Sequence, residues 1–276
     1  SDLAIITNDI KPQQTEIKNC TSKNEGGGIY HNHDNNATNT SLTVTNATIS
    51  GNQITNNIKS GGGIYTNARK VIIDGSSITD NKSTSTGGGL YAYADGAYSN
   101  SSDTDFHNKI SMIVKDSTIS RNAASGNGGG IWFDTKDDNT IRAKQVLTIK
   151  GSSIDGNTSN GNGGGVYTLA KTVTIGASES NSSISNNTAK TNGGGLYQKL
   201  NVDGSSLTIA NASISGNTAN ITTNNLDNGG GGIYAGVRTL SIKKSVVSNN
   251  TSKIHGGGIL FEINNDDARN AMSLTV

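Results

Sequence analysis

One proline, one cysteine and one tryptophan are all that this 276-residue chain holds of those types, and aromatic residues make up only 4% of it. A lone cysteine, Cys20, excludes an internal disulfide and says little about redox compartment. The near-absence of proline and a net charge of +1 do not fit the proline-rich, strongly charged composition of a disordered chain. Hydrophobic residues reach only 31%, fewer than a compact globular core of this length usually holds. With so little net charge there is no basic stripe, and nucleic acid is not expected as a partner. No apolar run is long enough to cross a bilayer as a helix, and no secretory signal stands at Ser1. This stretch is therefore expected not to insert into a membrane.

Glycine, by contrast, is abundant at 36 residues, and much of it falls in triplets. GGGIY at 26 returns as GGGIY at 61, GGGLY at 87, GGGIW at 128, GGGVY at 163, GGGLY at 193, GGGIY at 230 and GGGIL at 256. The spacings of 35, 26, 41, 35, 30, 37 and 26 look irregular but hide a constant frame. Seven residues separate Leu42 from Ile49, Val71 from Ile78, Met112 from Ile119, Leu147 from Ile154, Leu207 from Ile214 and Leu240 from Val247. The fifth unit, Val173 to Ile184, is longer. An asparagine follows the Ile or Val by three in every one of these units: Asn52, Asn81, Asn122, Asn157, Asn187, Asn217 and Asn250. Cys20, three after Ile17, holds the same slot in the first.

Each unit thus carries three short apolar stations: G-G-G-[ILV]-Y, then L-T-[IV] or its variants, then S-x-I-S-x-N. Each alternates apolar and polar residues over a few positions, as strands do, and polar turn-formers separate them. No segment has a useful helical period. One such unit cannot bury its own apolar side, so neighbours must stack. The expected fold is all-β: a single-stranded right-handed parallel β-helix of about eight coils, with three short strands per coil. Right-handedness follows the rule for parallel crossovers; a left-handed β-helix, built on shorter hexapeptide units, is the alternative. Eight coils at about 4.8 Å each make a rod on the order of 40 Å long. Residues 1–276 read as one β-helix domain, a fragment of a longer chain, with the frame running from about Ile17 to a C-terminus in mid-coil.

The constant positions have structural readings. The aliphatic after each triplet, the ends of L-T-V and the Ile of S-x-I-S point inward. Thr43, Thr148, Thr174, Thr208, Ser241 and Thr275 point out, as do pairs such as Thr48/Ser50 and Ser213/Ser215. The asparagines are expected to form an inner ladder of stacked amides, with Cys20 as a small buried cap. The glycines suit a tight corner with positive φ or close backbone approach. A phosphate cradle would need a following helix or a Lys-Ser/Thr pair, and the triplets have neither.

The position after the aliphatic is aromatic in seven units: Tyr30, Tyr65, Tyr91, Trp132, Tyr167, Tyr197 and Tyr234. Strand alternation turns these rings outward, into a stripe under partial cover that could bind sugar rings or a protein. The competing reading places the rings inside or beneath folded-over insertions.

Insertions follow the triplet strand in units one (31–41), three (92–111), four (134–146) and eight (261–273), so they leave one corner of the rod. A further insertion, Ala219–Asn228, leaves a different corner. Units three and four bring Asp95, Asp103, Asp105, His107, Asp134, Asp137, Asp138 and Arg142 together as a second binding candidate. Acidic loops can hold calcium weakly, and paired carboxylates can do acid–base chemistry. D-x-D and D-D pairs are also ordinary solvated loop features, so no catalytic residue is assigned and no cofactor is expected beyond that weak calcium. His31, His33, His107 and His255 show no metal-ligand spacing. N-x-[ST] sequons such as Asn36, Asn81 and Asn157 arise by chance in this composition.

The words GGG[ILV]Y and [ST]-x-I-S-x-N resemble the repeats of bacterial surface right-handed β-helix proteins, in particular the chlamydial polymorphic outer-membrane proteins. Those use GGA[ILV] and FxxN; here Gly28 replaces Ala and Ile49–Asn52 replaces the Phe word. The resemblance covers almost the whole chain from Ile17 on. It implies an extracellular autotransporter passenger at the bacterial cell surface, an adhesin rather than an enzyme. Its implied partner is a host-cell receptor protein or glycan, met by a monomer. A β-helix polysaccharide lyase or hydrolase is the second reading. An ice-binding face or a plain structural stalk is the third.

Overall fold

The computed structural model describes residues 2–5, 15–33, 40–93, 110–135, 139–176, 181–221, 228–263 and 272–276. Four sheets run the length of a right-handed parallel β-helix, one of nine strands and three of eight. One coil shows the plan: Lys70–Asp74 in the first sheet, Ser77–Thr79 in the second, Lys82–Ser83 in the third and Leu90–Tyr93 in the fourth. Neighbouring strands pair in parallel, each motif position on its own copy: Val71 on Met112, Ile78 on Ile119, Leu90 on Ile131. The only described helix is the four-residue Asn139–Arg142.

Two expectations are corrected. Each coil has four strands rather than three. The added strand is the two-residue pair after the ladder asparagine, such as Thr158–Ser159; two residues offer no alternation to read. The stack also begins before Ile17, because Asp2–Ile5 pairs in register with Ser41–Val44.

A thin core fills the bore. Leu42, Ile49, Ile64, Val71, Ile78 and Leu90 are all fully buried, and the same stations continue the cluster up the rod. Single left-handed residues make two of the corners. Asn46, Gly75, Asp116, Asn211 and Lys244 turn the chain from the first sheet into the second. Asn19, Gly51, Asp80, Arg121, Gly156, Asn186, Gly216 and Asn249 turn it from the second into the third. Asn, Asp and Gly reach this conformation at least cost, which explains their density in the sequence.

The asparagine ladder runs from Asn52 to Asn250, each amide hydrogen-bonded to the next. Asn122 Nδ2 donates to Asn157 Oδ1 at 3.0 Å and to the Ile78 carbonyl at 2.9 Å, and its backbone N–H donates to the same Asn157 oxygen at 3.0 Å. A serine row at the preceding corner does similar work: Ser76 N–H donates to Ser117 Oγ at 3.0 Å, and Ser117 N–H to Ser152 Oγ at 3.1 Å.

The glycine triplet follows from this stacking. Gly61 has φ +76, and a Cβ on it would lie 2.4 Å from the Ile64 carbonyl oxygen. A Cβ on Gly62 would lie 2.4 Å from the Gly88 oxygen of the next coil. A Cβ on Gly63 would lie 2.6 Å from the Gly89 oxygen of the next coil and 3.0 Å from the Asn81 side-chain carbon. The first glycine makes the bend, the second admits the neighbouring backbone, and the third leaves room for both that backbone and the ladder amide.

Candidate functional site

The fourth sheet places the aromatic row. In Ile29–His31 the first and third side chains are buried and Tyr30 between them is exposed. The core cluster takes the aliphatics of this sheet and none of the seven rings, so the row lies on the outer side of the wall. Register sets Tyr30 on Tyr65, Tyr65 on Tyr91, Tyr91 on Trp132, Trp132 on Tyr167, Tyr167 on Tyr197 and Tyr197 on Tyr234. Successive centroids lie 5.2, 5.1, 4.3, 6.0, 5.2 and 4.7 Å apart, with interplanar angles of 4–26°. This is one continuous offset stack. Tyr93 joins it from the side, 6.3 Å from Tyr91 and 6.5 Å from Trp132.

Exposure is greatest at one end of the row and least at the other. Tyr30 is 55% exposed and Tyr234 is 2% exposed. Tyr65, Tyr91 and Tyr167 are half-buried, while Trp132 and Tyr197 are buried. Outward orientation under partial cover is therefore what the fold shows, with the cover uneven, since buried Trp132 stands before half-buried Tyr167. Burial raises the phenol of Tyr91, and pushes that of Tyr197 up to about 12 with a smaller push from the Glu262 carboxylate. The Tyr234 hydroxyl donates to Glu262 Oε1 at 2.8 Å.

Stacking limits what a ligand can touch. Parallel rings cover one another's faces, so solvent meets mainly their edges and hydroxyls. A sugar ring lying flat on the stripe finds little free face. Tyr30 stands at the end of the described stack, beside a recess of about 300 Å³ lined by Ser22, Asn24, Glu25 and Gly26.

The second candidate resolves differently. Asp95, Asp103, Asp105, His107, Asp137 and Asp138 lie outside the described residues. Asp134 and Arg142 do meet, as a fork: Nε to Oδ1 at 2.8 Å and Nη2 to Oδ2 at 3.0 Å. Their side chains are only 4% and 12% exposed. Arg142 also donates to the Thr135 carbonyl at 3.3 Å, so this pair ties the short helix to the end of the Ile131–Asp134 strand. Both carboxylate oxygens of Asp134 accept hydrogen bonds from the guanidinium.

The remaining singled-out residues serve the wall. His31 Nδ1 lies 2.9 Å from Thr66 Oγ1, and His33 Nε2 donates to the Asn67 carbonyl at 2.7 Å; both rings are buried. Asn81 and Asn157 are ladder residues, closed to modification. Cys20 is exposed rather than buried. It stands in the first layer of the second and third sheets, with no described coil outside it. Its backbone N–H still caps the ladder, donating to Asn52 Oδ1 at 2.9 Å.

The sequence reading missed a further asparagine row just before the triplets. Asn162 N–H donates to Asn127 Oδ1 at 2.8 Å, and Asn192 N–H to Asn162 Oδ1 at 3.0 Å. The recurring N-G-G-G word was its signal.

The fold and its ladders define a parallel β-helix repeat protein. Residues 116–134 and 181–199 match the family model of the Chlamydia polymorphic membrane protein repeat. Each match runs from the second sheet, through the ladder asparagine and the triplet, to the aromatic strand. No curated protein and no solved structure matches the chain. The chain resembles the polymorphic membrane proteins and autotransporter passengers. Repeat and solenoid together fit a surface passenger protein with outer-membrane or surface association.

Proposed function

We propose that this chain is the extracellular, adhesive passenger segment of a bacterial surface protein, a non-enzymatic rod that meets a host-cell partner through the flank carrying Tyr30, Tyr65 and Tyr91. The observation that carries this reading is the outward aromatic stack with its exposed end, set on a repeat of the surface-passenger type. Hydroxyl-bearing ring edges beside a polar recess suit a receptor protein better than a flat sugar. Such edges combine apolar contact with hydrogen bonding. The rod presents this flank as a monomer.

Binding of the purified chain to cultured host cells and to a glycan array tests the proposal. Tyr30→Ala and Tyr65→Ser should abolish cell binding while leaving the circular-dichroism spectrum intact. Cell binding that survives both changes would remove the aromatic flank from the proposal. Capture by glycans alone would replace the protein receptor with a carbohydrate, and an absence of binding to either would reduce the rod to a spacer.

A further inference from the structure

A binding edge does not need its rings in unbroken contact. Here six successive ring pairs are stacked, from the most exposed ring, Tyr30, to the least exposed, Tyr234. The closest pair brings Trp132 to 4.3 Å from Tyr91. At the buried end the phenol of Tyr234 is hydrogen-bonded to a carboxylate, Glu262, at 2.8 Å.

We propose that the aromatic row is a one-electron oxidation relay, in which an oxidising equivalent taken up at the exposed rings passes from ring to ring and comes to rest on Tyr234. Contacting π-systems exchange an electron without large nuclear motion, and every step here spans one coil. The resting place is set by the proton. An oxidised phenol is a strong acid and must lose its proton to persist as a neutral radical. Glu262 is within hydrogen-bond reach to take it, so proton and electron leave Tyr234 together with little movement of heavy atoms. Each intervening phenol gives up its proton as it is oxidised and takes one back as it is reduced, whereas Tyr234 has a carboxylate on its hydroxyl to keep the proton within reach. The intervening phenols pass the equivalent on rather than hold it. Trp132 carries it as an indole radical cation, which needs no immediate proton loss.

The reaction balances. A one-electron oxidant, such as a peroxyl radical or the oxidised haem of a peroxidase, gains one electron. Tyr30 supplies it and releases its phenolic proton to water. The Tyr30 radical then takes an electron from the next ring and a proton from water. Each intervening tyrosine likewise releases a proton to water when it is oxidised and regains one when it is reduced, and the last proton passes from Tyr234 to Glu262. The net change is reduced oxidant, a neutral Tyr234 radical and a protonated Glu262.

Flash-generated ruthenium(III) tris-bipyridine, followed by freeze-quench electron paramagnetic resonance on the whole chain, tests this. The wild type should give a persistent neutral tyrosyl signal. The persistent Tyr234 signal should give way to a shorter-lived tyrosyl signal of different line shape in Tyr234→Phe and in Glu262→Gln, two near-isosteric changes that leave the circular-dichroism spectrum intact. Trp132→Leu leaves a gap of two coils, about 9.6 Å. That variant should slow the rise of the Tyr234 signal and raise the yield of intermolecular dityrosine from radicals that dwell at Tyr30. A tyrosyl signal unchanged in Tyr234→Phe and Glu262→Gln would overturn the relay, as would dityrosine yields equal in wild type and Trp132→Leu.

Discussion

Asn122 Oδ1 accepts two hydrogen bonds from Asn81, one from its backbone N–H at 3.0 Å and one from its side-chain amide at 2.9 Å. One oxygen thus anchors both the chain and the side chain of the coil beside it. Asn122→Ala strands those two buried donors and leaves the Ile78 carbonyl without its side-chain partner. Each buried unsatisfied group costs about 1–3 kcal/mol, so the change should destabilise the rod by about 3 kcal/mol or more, read by urea unfolding. At the exposed end the sign reverses. Cys20→Asn supplies the missing amide to Asn52 and should add about 1 kcal/mol.

The triplets make a position-specific prediction. A Cβ on Gly129 would lie 2.3 Å from the Thr158 oxygen and 2.4 Å from the Gly164 oxygen, both backbone atoms that cannot swing aside. Gly129→Ala should prevent the coil from closing, seen as loss of cooperative unfolding. Gly258 sits in the same sequence word, yet its nearest neighbour is Val247 Cγ1 at 3.5 Å. Gly258→Ala should unfold at the wild-type midpoint.

Two arginine–aspartate forks share a geometry and differ in burial. Arg121 and Asp80 meet at 2.8 Å with side chains 62% and 46% exposed, whereas Arg142 and Asp134 are 12% and 4% exposed. The Arg121 hydrogen bond holds the Asp80 carboxyl below its usual range. In water such a pair contributes little, and Arg121→Gln should cost at most about 1 kcal/mol. Arg142→Gln leaves a buried carboxylate without its partner and should cost about 3–5 kcal/mol. Thermal unfolding of the two variants checks the contrast, with the larger drop expected for Arg142→Gln.

Alkali should loosen the aromatic flank. The Tyr197 phenol ionises near 12 in the folded rod, against an ordinary value of 10.0. The folded state therefore binds the proton more tightly than the unfolded chain. This contribution to stability is complete below about pH 10 and is lost as pH rises towards about 12. Denaturation midpoints should stay level up to the lower value and fall between the two. Ultraviolet titration of phenolate should show delayed ionisation that becomes normal in urea.

Most of the fold was legible in the residues, because a parallel stack pairs each motif with its own copy. The Leu42-to-Ile49 step, the asparagine slot and the triplet recur because each coil repeats the contacts of the last. The two-residue strands were not legible, since Lys82–Ser83 is too short to alternate, and the Ser76–Ser117–Ser152 row was lost among many other serines. Of the candidate site, the outward direction of the rings followed from alternation along Ile29–His31.

By itself the sequence determined a stacked all-β rod, its inner amide ladder and an aromatic at the same outward position of seven coils. Only the tertiary structure decided how those aromatics are presented. Ring faces cover one another because the coils are about one strand spacing apart. The contrast between exposed Tyr30 and buried Tyr234, the carboxylate of Glu262 on the last hydroxyl and the closure of Asp134 by Arg142 depend on contacts beyond the repeat itself. Local spacing cannot encode these contacts, because they are set by how the connections and neighbouring coils settle against the wall.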